Sequence, residues 1–304
     1  MLNTSAPRRA TRAAALGMAA LLLCAGCTIP TSSQRGTQRS SNPNSVTRTS
    51  HKNATTRPAA TITPQQRQKM QAAWNEFRSQ HPGEISVAIL PVGAGEEVRP
   101  IVLGKPASRI AAGTLRAPVA IAALNYLQDD AQLLNDIVAS LNADDAQAAA
   151  DVWKAFGNGT TAAQKTTRVL RLAGDTTTRV ASSDPEKNTT WALPAQARFT
   201  SGLACMPDAA LVRDSLQPGL PTMSYGFGRD GFNLVLSGWV ALPGAKPTMV
   251  GRQFAIVDKG KAGFSAIAVA VKASDGTRKS AEKLLTTVAR WLQKNKLVPA
   301  GRCP

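Results

Sequence analysis

Residues 107–124 read ASRIAAGTLRAPVAIAAL, and the reading of this stretch decides the fold. From Gly113 onward it is apolar except for Thr114 and Arg116, and it continues through NYLQ without a glycine or a second proline. A run of that length predicts a helix, and an apolar helix of this kind is buried. It stands just after two strand-like segments. GEISVAILPVG (83–93) alternates and is rich in Val and Ile. EVRPIVLG (97–104) makes a second strand of a hairpin, with Pro100 pointing to irregularity or an edge.

Working outward, TPQQRQKMQAAWNEFRSQH (63–81) predicts a helix with Thr63 as N-cap and Pro64 in the first helical position. A mostly helical middle follows, including DDAQAAADVWKAFG (144–157) and LPAQARFTSGLACM (193–206). The chain returns to strands in GFNLVLSGWVAL, VGRQFAIVD and AGFSAIAVAVKA, then closes with the amphipathic helix TRKSAEKLLTTVARWLQKNK (277–296). No internal repeat is present. The order is helix, two strands, helical region, three strands, helix. That order predicts an α/β (α+β) domain over residues 62–304. A single antiparallel five-stranded sheet would carry the N- and C-terminal helices on one face and a helical subdomain on the other.

The first 61 residues read differently. Arg8, Arg9 and Arg12 precede the short apolar run AAALGMAALLL, which is too short to span a bilayer as a helix. A basic start, an apolar centre and small residues predict a secretory signal over residues 1–26. The run ends in LLCAGC, and Ala25–Gly26–Cys27 has the form of a bacterial lipoprotein processing site. Cys27 would become the lipidated N-terminus of a protein held on the outer face of the cell membrane. An ordinary cleaved signal followed by an unmodified cysteine is the alternative. Residues 27–61 are rich in Ser, Thr, Asn, Gln, Pro and Arg, so they predict a flexible polar tether.

The charge balance follows this division. Ten of the 36 Lys and Arg precede Glu76, and no acidic residue does. The other 26 stand against all 19 acidic residues, so the domain carries only seven of the seventeen excess positive charges. A basic tether suits an anionic lipid or wall polymer. Nucleic acid is not an expected partner of an exported chain. Beyond Cys27 the cysteines are Cys205 and Cys303. They either pair, as two cysteines of an exported protein usually do, or remain as buried free thiols.

Taken together, residues 62–304 resemble the serine β-lactamase and penicillin-binding transpeptidase superfamily. In that family a Ser-x-x-Lys motif opens the buried helix after the second strand. Serine attacks the acyl group, and lysine, one turn on, handles its proton. Here the matching residues are Gly113, Thr114, Leu115 and Arg116. Glycine has no nucleophile, and arginine stays protonated and cannot act as a base. Thr114 comes one residue late, about 100° round the helix. The family's Ser-Asp-Asn motif is matched by Asp144, Asp145 and Ala146, keeping only the central Asp145. Its Lys-Thr-Gly motif is matched by Leu236, Ser237 and Gly238, without the cation. The loop with a deacylating Glu is matched by GDTTTRVASSDPEKN, with Asp184 at the Glu position and Pro185, Glu186 and Asn188 after it. The preferred reading of Asp184 on its own is a turn residue before Pro185.

A closer resemblance is to exported, alanine-rich actinobacterial members of the superfamily, through WALPAQARFTSGLAC and VPAGRCP. That resemblance implies a Cys205–Cys303 disulfide. With each motif lacking a necessary group, the first reading is a non-catalytic envelope lipoprotein with degenerate catalytic motifs, using its old cleft or the domain surface to bind a peptidoglycan fragment or an envelope protein. The alternative is a serine-hydrolase-like enzyme with altered chemistry built on Ser237, Asp145 and Asp184. A structural role with the tether setting reach is a third reading. Ser280 and Lys283 have the Ser-x-x-Lys spacing but sit on the solvated face of the last helix. With only His51 and His81 in the chain, neither a histidine triad nor a metal site is expected, and no cofactor is implied.

Overall fold

Five strands form one antiparallel sheet in the order β2-β1-β5-β4-β3. They are β1 (Glu84–Pro91), β2 (Ile101–Leu103), β3 (Phe232–Leu242), β4 (Thr248–Asp258) and β5 (Phe264–Lys272). This computed structural model describes residues 61–304 apart from 107, 128, 129, 219, 221, 222, 230 and 231. The expected signal segment, Cys27, His51 and the expected tether up to residue 60 lie outside the described residues. β2 is only three residues long and lies at the sheet's edge, where the chain emerges from Pro100 without a ladder donor.

The alternation of the strands sorts the core into two layers. Val87, Ile89, Val235, Ala255, Val257, Ile267 and Val269 pack with Met70, Trp74 and Phe77 of α1 (Pro64–Gln80) and with Leu285 and Val288 of α9 (Arg278–Lys294). Trp74, Phe77 and Trp291 form an aromatic cluster between these terminal helices. The even-numbered positions face the other way. Leu234, Leu236, Phe254 and Ile256 join the helical region. Ala88, Ala268 and Ala270 let α7 (Leu193–Cys205) lie close on the sheet through Leu193 and Ala197. Strands covered on both faces are buried along nearly their whole length, as β1 is after Glu84.

The helical region comprises α2 (Arg116–Tyr126), α3 (Ala131–Asn142), α4 (Ala146–Ala155), α5 (Gly159–Leu172), the short α6 (Pro185–Asn188), α7 and α8 (Ala210–Ser215). The caps follow the sequence. Thr63 accepts from the Gln66 amide, and Asp130, Asp145, Asn158 and Thr277 cap α3, α4, α5 and α9 in the same way. α2 is buried from Arg116 to Ala123, as a helix apolar on every side beyond Arg116 must be. Cys205, at the end of α7, is bonded to Cys303, with Cα atoms 5.3 Å apart. The C-terminal tail is further held by the Phe264–Gly301 bridge and by the Ser265 hydroxyl donating to the Pro299 carbonyl.

Candidate functional site

A 3-10 turn, Ala112–Leu115, delivers the chain into α2 directly against β3. That approach requires glycine on the strand. A Cβ at Gly238 would stand 2.7 Å from the amide nitrogens of both Gly113 and Thr114. Gly113 faces back, and a Cβ there would lie 3.3 Å from the Ser237 carbonyl oxygen. Ala112, which leads into the turn, has φ 51°, a conformation that costs an alanine on the order of 1 kcal/mol and persists because β3 fixes the turn.

Arg116 opens α2 and is buried. Its Nε donates to Glu186 Oε1 at 2.7 Å and Nη2 to Oε2 at 3.3 Å. Its Nη1 donates to Asp144 Oδ1 at 2.8 Å and to the Ser140 carbonyl at 3.0 Å. One cation thus joins α2 to the end of α3, the entry to α4 and the start of α6. Burial works to lower its pKa. The contacts with Glu186 and Asp144 outweigh burial and hold it above the ordinary value, so the guanidinium stays charged.

Of the paired aspartates, it is Asp144 that reaches the site. The residue takes φ 55°, which turns its carboxylate toward Arg116. Asp145, the expected motif residue, spends its carboxylate on the Gln147 and Ala148 amides as the α4 N-cap. Asp184 likewise yields to a neighbour. It sits at φ 42° before Pro185 and pairs with Lys187 at 2.8 Å, both side chains being exposed, while Glu186 enters the site. The turn reading of Asp184 is therefore the better account of its conformation.

Ser237 contributes only its backbone. Its hydroxyl lies on the α1/α9 face of the sheet and accepts from Gln253 Nε2 at 2.8 Å, and Gln253 in turn binds the Phe227 amide. Leu236, which stands where the resemblance expects a cation, is buried in the core of the helical region. Ser237, Asp145 and Asp184 are therefore not brought together as a reacting set. Thr114 also points inward, donating to the Ala111 carbonyl and accepting from Gln196 Nε2 at 2.9 Å.

Behind this turn lies Arg252 of β4, completely buried. It donates to the Ile110 carbonyl at 3.0 Å, the Trp191 carbonyl at 2.9 Å and Gln196 Oε1 at 2.8 Å, and its Nε finds no partner. No carboxylate among the described residues pairs with it. Burial pushes its pKa down to about 9. Sequence reasoning missed this residue. The signal was a polar pair, Arg252–Gln253, interrupting the apolar strand VGRQFAIVD.

In front of the turn is a cleft of about 400 Å³. Ala112, Ala149, Trp153, Glu186 and Val240 form its walls, with Lys154 and the Asp184–Lys187 pair at the rim. It presents mostly carbon, with the Arg116–Glu186 pair beside it, and suits an apolar or amide-bearing group more than a cation or a metal. Other predicted groups lie elsewhere. His81 stacks on Phe77 at the end of α1, and Ser280 donates to Asp275 at the start of α9.

No protein-family profile and no curated protein matches the chain. Solved structures do. A variant of the reconstructed last common ancestor of Gram-negative class A β-lactamases (GNCA4) matches with a TM-score of 0.52 at 18% identity, over 73% of this chain and 96% of that one. A Ser-to-Gly variant of the TLA-1 extended-spectrum β-lactamase gives 0.55 at 12%, over 75% and 99%. A β-lactamase from Xanthomonas campestris gives 0.52 at 17%, over 75% and 97%. The described domain has the serine β-lactamase/transpeptidase-like fold.

Proposed function

We propose that the chain is an exported lipoprotein whose β-lactamase-like domain binds a ligand in this cleft without forming a covalent intermediate. The observation that carries the reading is the environment of Arg116. Acyl transfer needs a nucleophile beside a group able to take its proton. At this turn Gly113 offers no side chain, and the neighbouring side chain is a guanidinium committed to two carboxylates. A guanidinium in that setting does not release a proton. The cleft in front has a volume of about 400 Å³, which supports binding as its use.

The ligand class is a peptidoglycan fragment or an extended segment of an envelope protein, each offering methyl groups and amides to the Ala149, Trp153 and Val240 walls. Cys27 would carry the lipid, and residues 28–61 would set the distance between bilayer and domain. The test is intact mass of the chain after incubation with a reactive penicillin, followed by calorimetry with soluble peptidoglycan fragments. An unchanged mass with saturable heat that Trp153→Ala abolishes is the expected result. A covalent penicillin adduct would overturn the reading and return the hydrolase alternative to first place.

A further inference from the structure

The exposed side of α9 carries a charge pattern that the cleft does not use. Lys279, Lys283, Arg290 and Lys294 are all exposed. At 100° per residue they fall within an arc of about 60°, forming a straight row about 22 Å long. The helix has a single acidic residue, Glu282, which lies to the side of this arc and is engaged by Arg278 at 3.0 Å. Asp275, before the helix, accepts from Thr277 and Ser280. Among the described residues, none of the four cations forms an ion pair. Four aligned cations without counter-charges repel one another, so the row suits a surface that supplies the missing negative charge.

We propose that this stripe is a membrane-facing surface that docks the domain on anionic phospholipid headgroups. Three observations favour a bilayer over other polyanions. The row is straight and lies on one helix face, which matches a plane. α9 packs directly on α1, the first helix after the proposed tether. The proposed anchor at Cys27 joins the domain through the chain that enters α1, so the attachment arrives on the side that α1 and α9 share. The sheet stands between this stripe and helices α2 to α5, so docking turns the helical region away from the bilayer.

The inference is independent of what the cleft binds and is tested without the lipid. The chain from residue 27 onward, carrying Cys27→Ser, is sedimented with phosphatidylglycerol/phosphatidylcholine vesicles and with phosphatidylcholine alone. One variant replaces Lys279, Lys283, Arg290 and Lys294 by Gln. A control replaces Lys105, Arg109, Arg168 and Arg171, removing the same charge from other exposed positions. Each basic side chain near an anionic surface contributes about fivefold. The α9 variant should therefore lose at least about tenfold in partitioning to the anionic vesicles, with an unchanged melting temperature, while the control loses far less. If the quadruple variant melts early, Lys283→Gln with Arg290→Gln alone should still lose severalfold. Equal losses in the two sets would mean that net charge alone acts, and would overturn the proposal. So would failure of the parent chain to prefer anionic vesicles, or preferential sedimentation with isolated cell-wall material, which would make the polyanion a wall polymer.

Discussion

Two buried arginines lie on either side of the same turn, and they are balanced in opposite ways. Arg116, in front of it, is 8% exposed and shared by two carboxylates. Arg252, behind it, is fully buried and faces only carbonyl oxygens. The pKa values move accordingly, up for the first and down to about 9 for the second. Depth of burial is therefore a poor guide to what each contributes. A buried charge with its partners in place is costly to break, whereas one lacking a counter-charge carries an uncompensated desolvation cost that its removal would relieve. Arg116 should hold the helical region together, while Arg252 should contribute little net stability although it makes three hydrogen bonds.

Arg252 contributes little only if α7, which carries Gln196, is positioned independently of it. The largest expected effect tests that condition. Replacing Cys205 and Cys303 by Ser opens a loop of 98 residues and should cost about 4 kcal/mol, or about 10 °C in melting temperature. Adding Arg252→Met to that background should change little more. A strongly synergistic loss in the combined variant would show that Arg252, and not the disulfide, holds α7.

Next in size is Arg116→Met, which leaves Glu186 and Asp144 side by side without their cation. Full burial would make this worth up to about 5 kcal/mol. Because the carboxylates are 29% and 45% exposed, about 3 kcal/mol is the expected loss in urea unfolding. Adding Glu186→Gln should recover part of it. If the double variant were no more stable than Arg116→Met, the loss would come from packing rather than from stranded charge. Gly238→Ala should cost less, about 2 kcal/mol, because the added methyl meets two backbone amides that must move with the turn. Chemical shifts of Gly113 and Thr114 amides should move with it, and unchanged shifts would place the close contact elsewhere.

Much of this fold is legible in the sequence because it rests on local rules. Alternation sets which residues of β1, β3, β4 and β5 face each layer, and Thr63, Pro64 and Thr277 mark helix starts. The site is less legible because it depends on single backbone angles. Counting residues puts Asp145 in the motif, but positive φ at Asp144 hands the site to the residue before it. The same change at Asp184 turns that carboxylate to Lys187 and brings in Glu186, two residues on. Ser237 matches a motif position and its backbone lies against the turn, yet strand alternation sends its hydroxyl through to the opposite face. Arg252 could have been suspected from its place in an apolar strand, but its partners, at Ile110, Trp191 and Gln196, come from three separate segments.

The smallest expected effect most sharply tests the difference between the two arginines. Arg252→Met strands three buried acceptors, each worth about 1 kcal/mol, but it also removes the cost of burying the cation, so the net change at neutral pH should stay within about 1 kcal/mol. The pH dependence separates the two contributions. Between a folded pKa of about 9 and the ordinary 12.5, the unfolded chain holds the Arg252 proton more tightly than the native one. Stability of the parent chain relative to the Met variant should then be flat below pH 9 and rise above it, by up to about 1.4 kcal/mol per pH unit. Lysines and tyrosines titrate in both chains and cancel in the difference. Urea unfolding of both proteins at pH 8, 9 and 10.5 measures it. A difference that stays flat to pH 10.5 would mean that the Ile110, Trp191 and Gln196 oxygens compensate the buried cation as fully as the two carboxylates compensate Arg116.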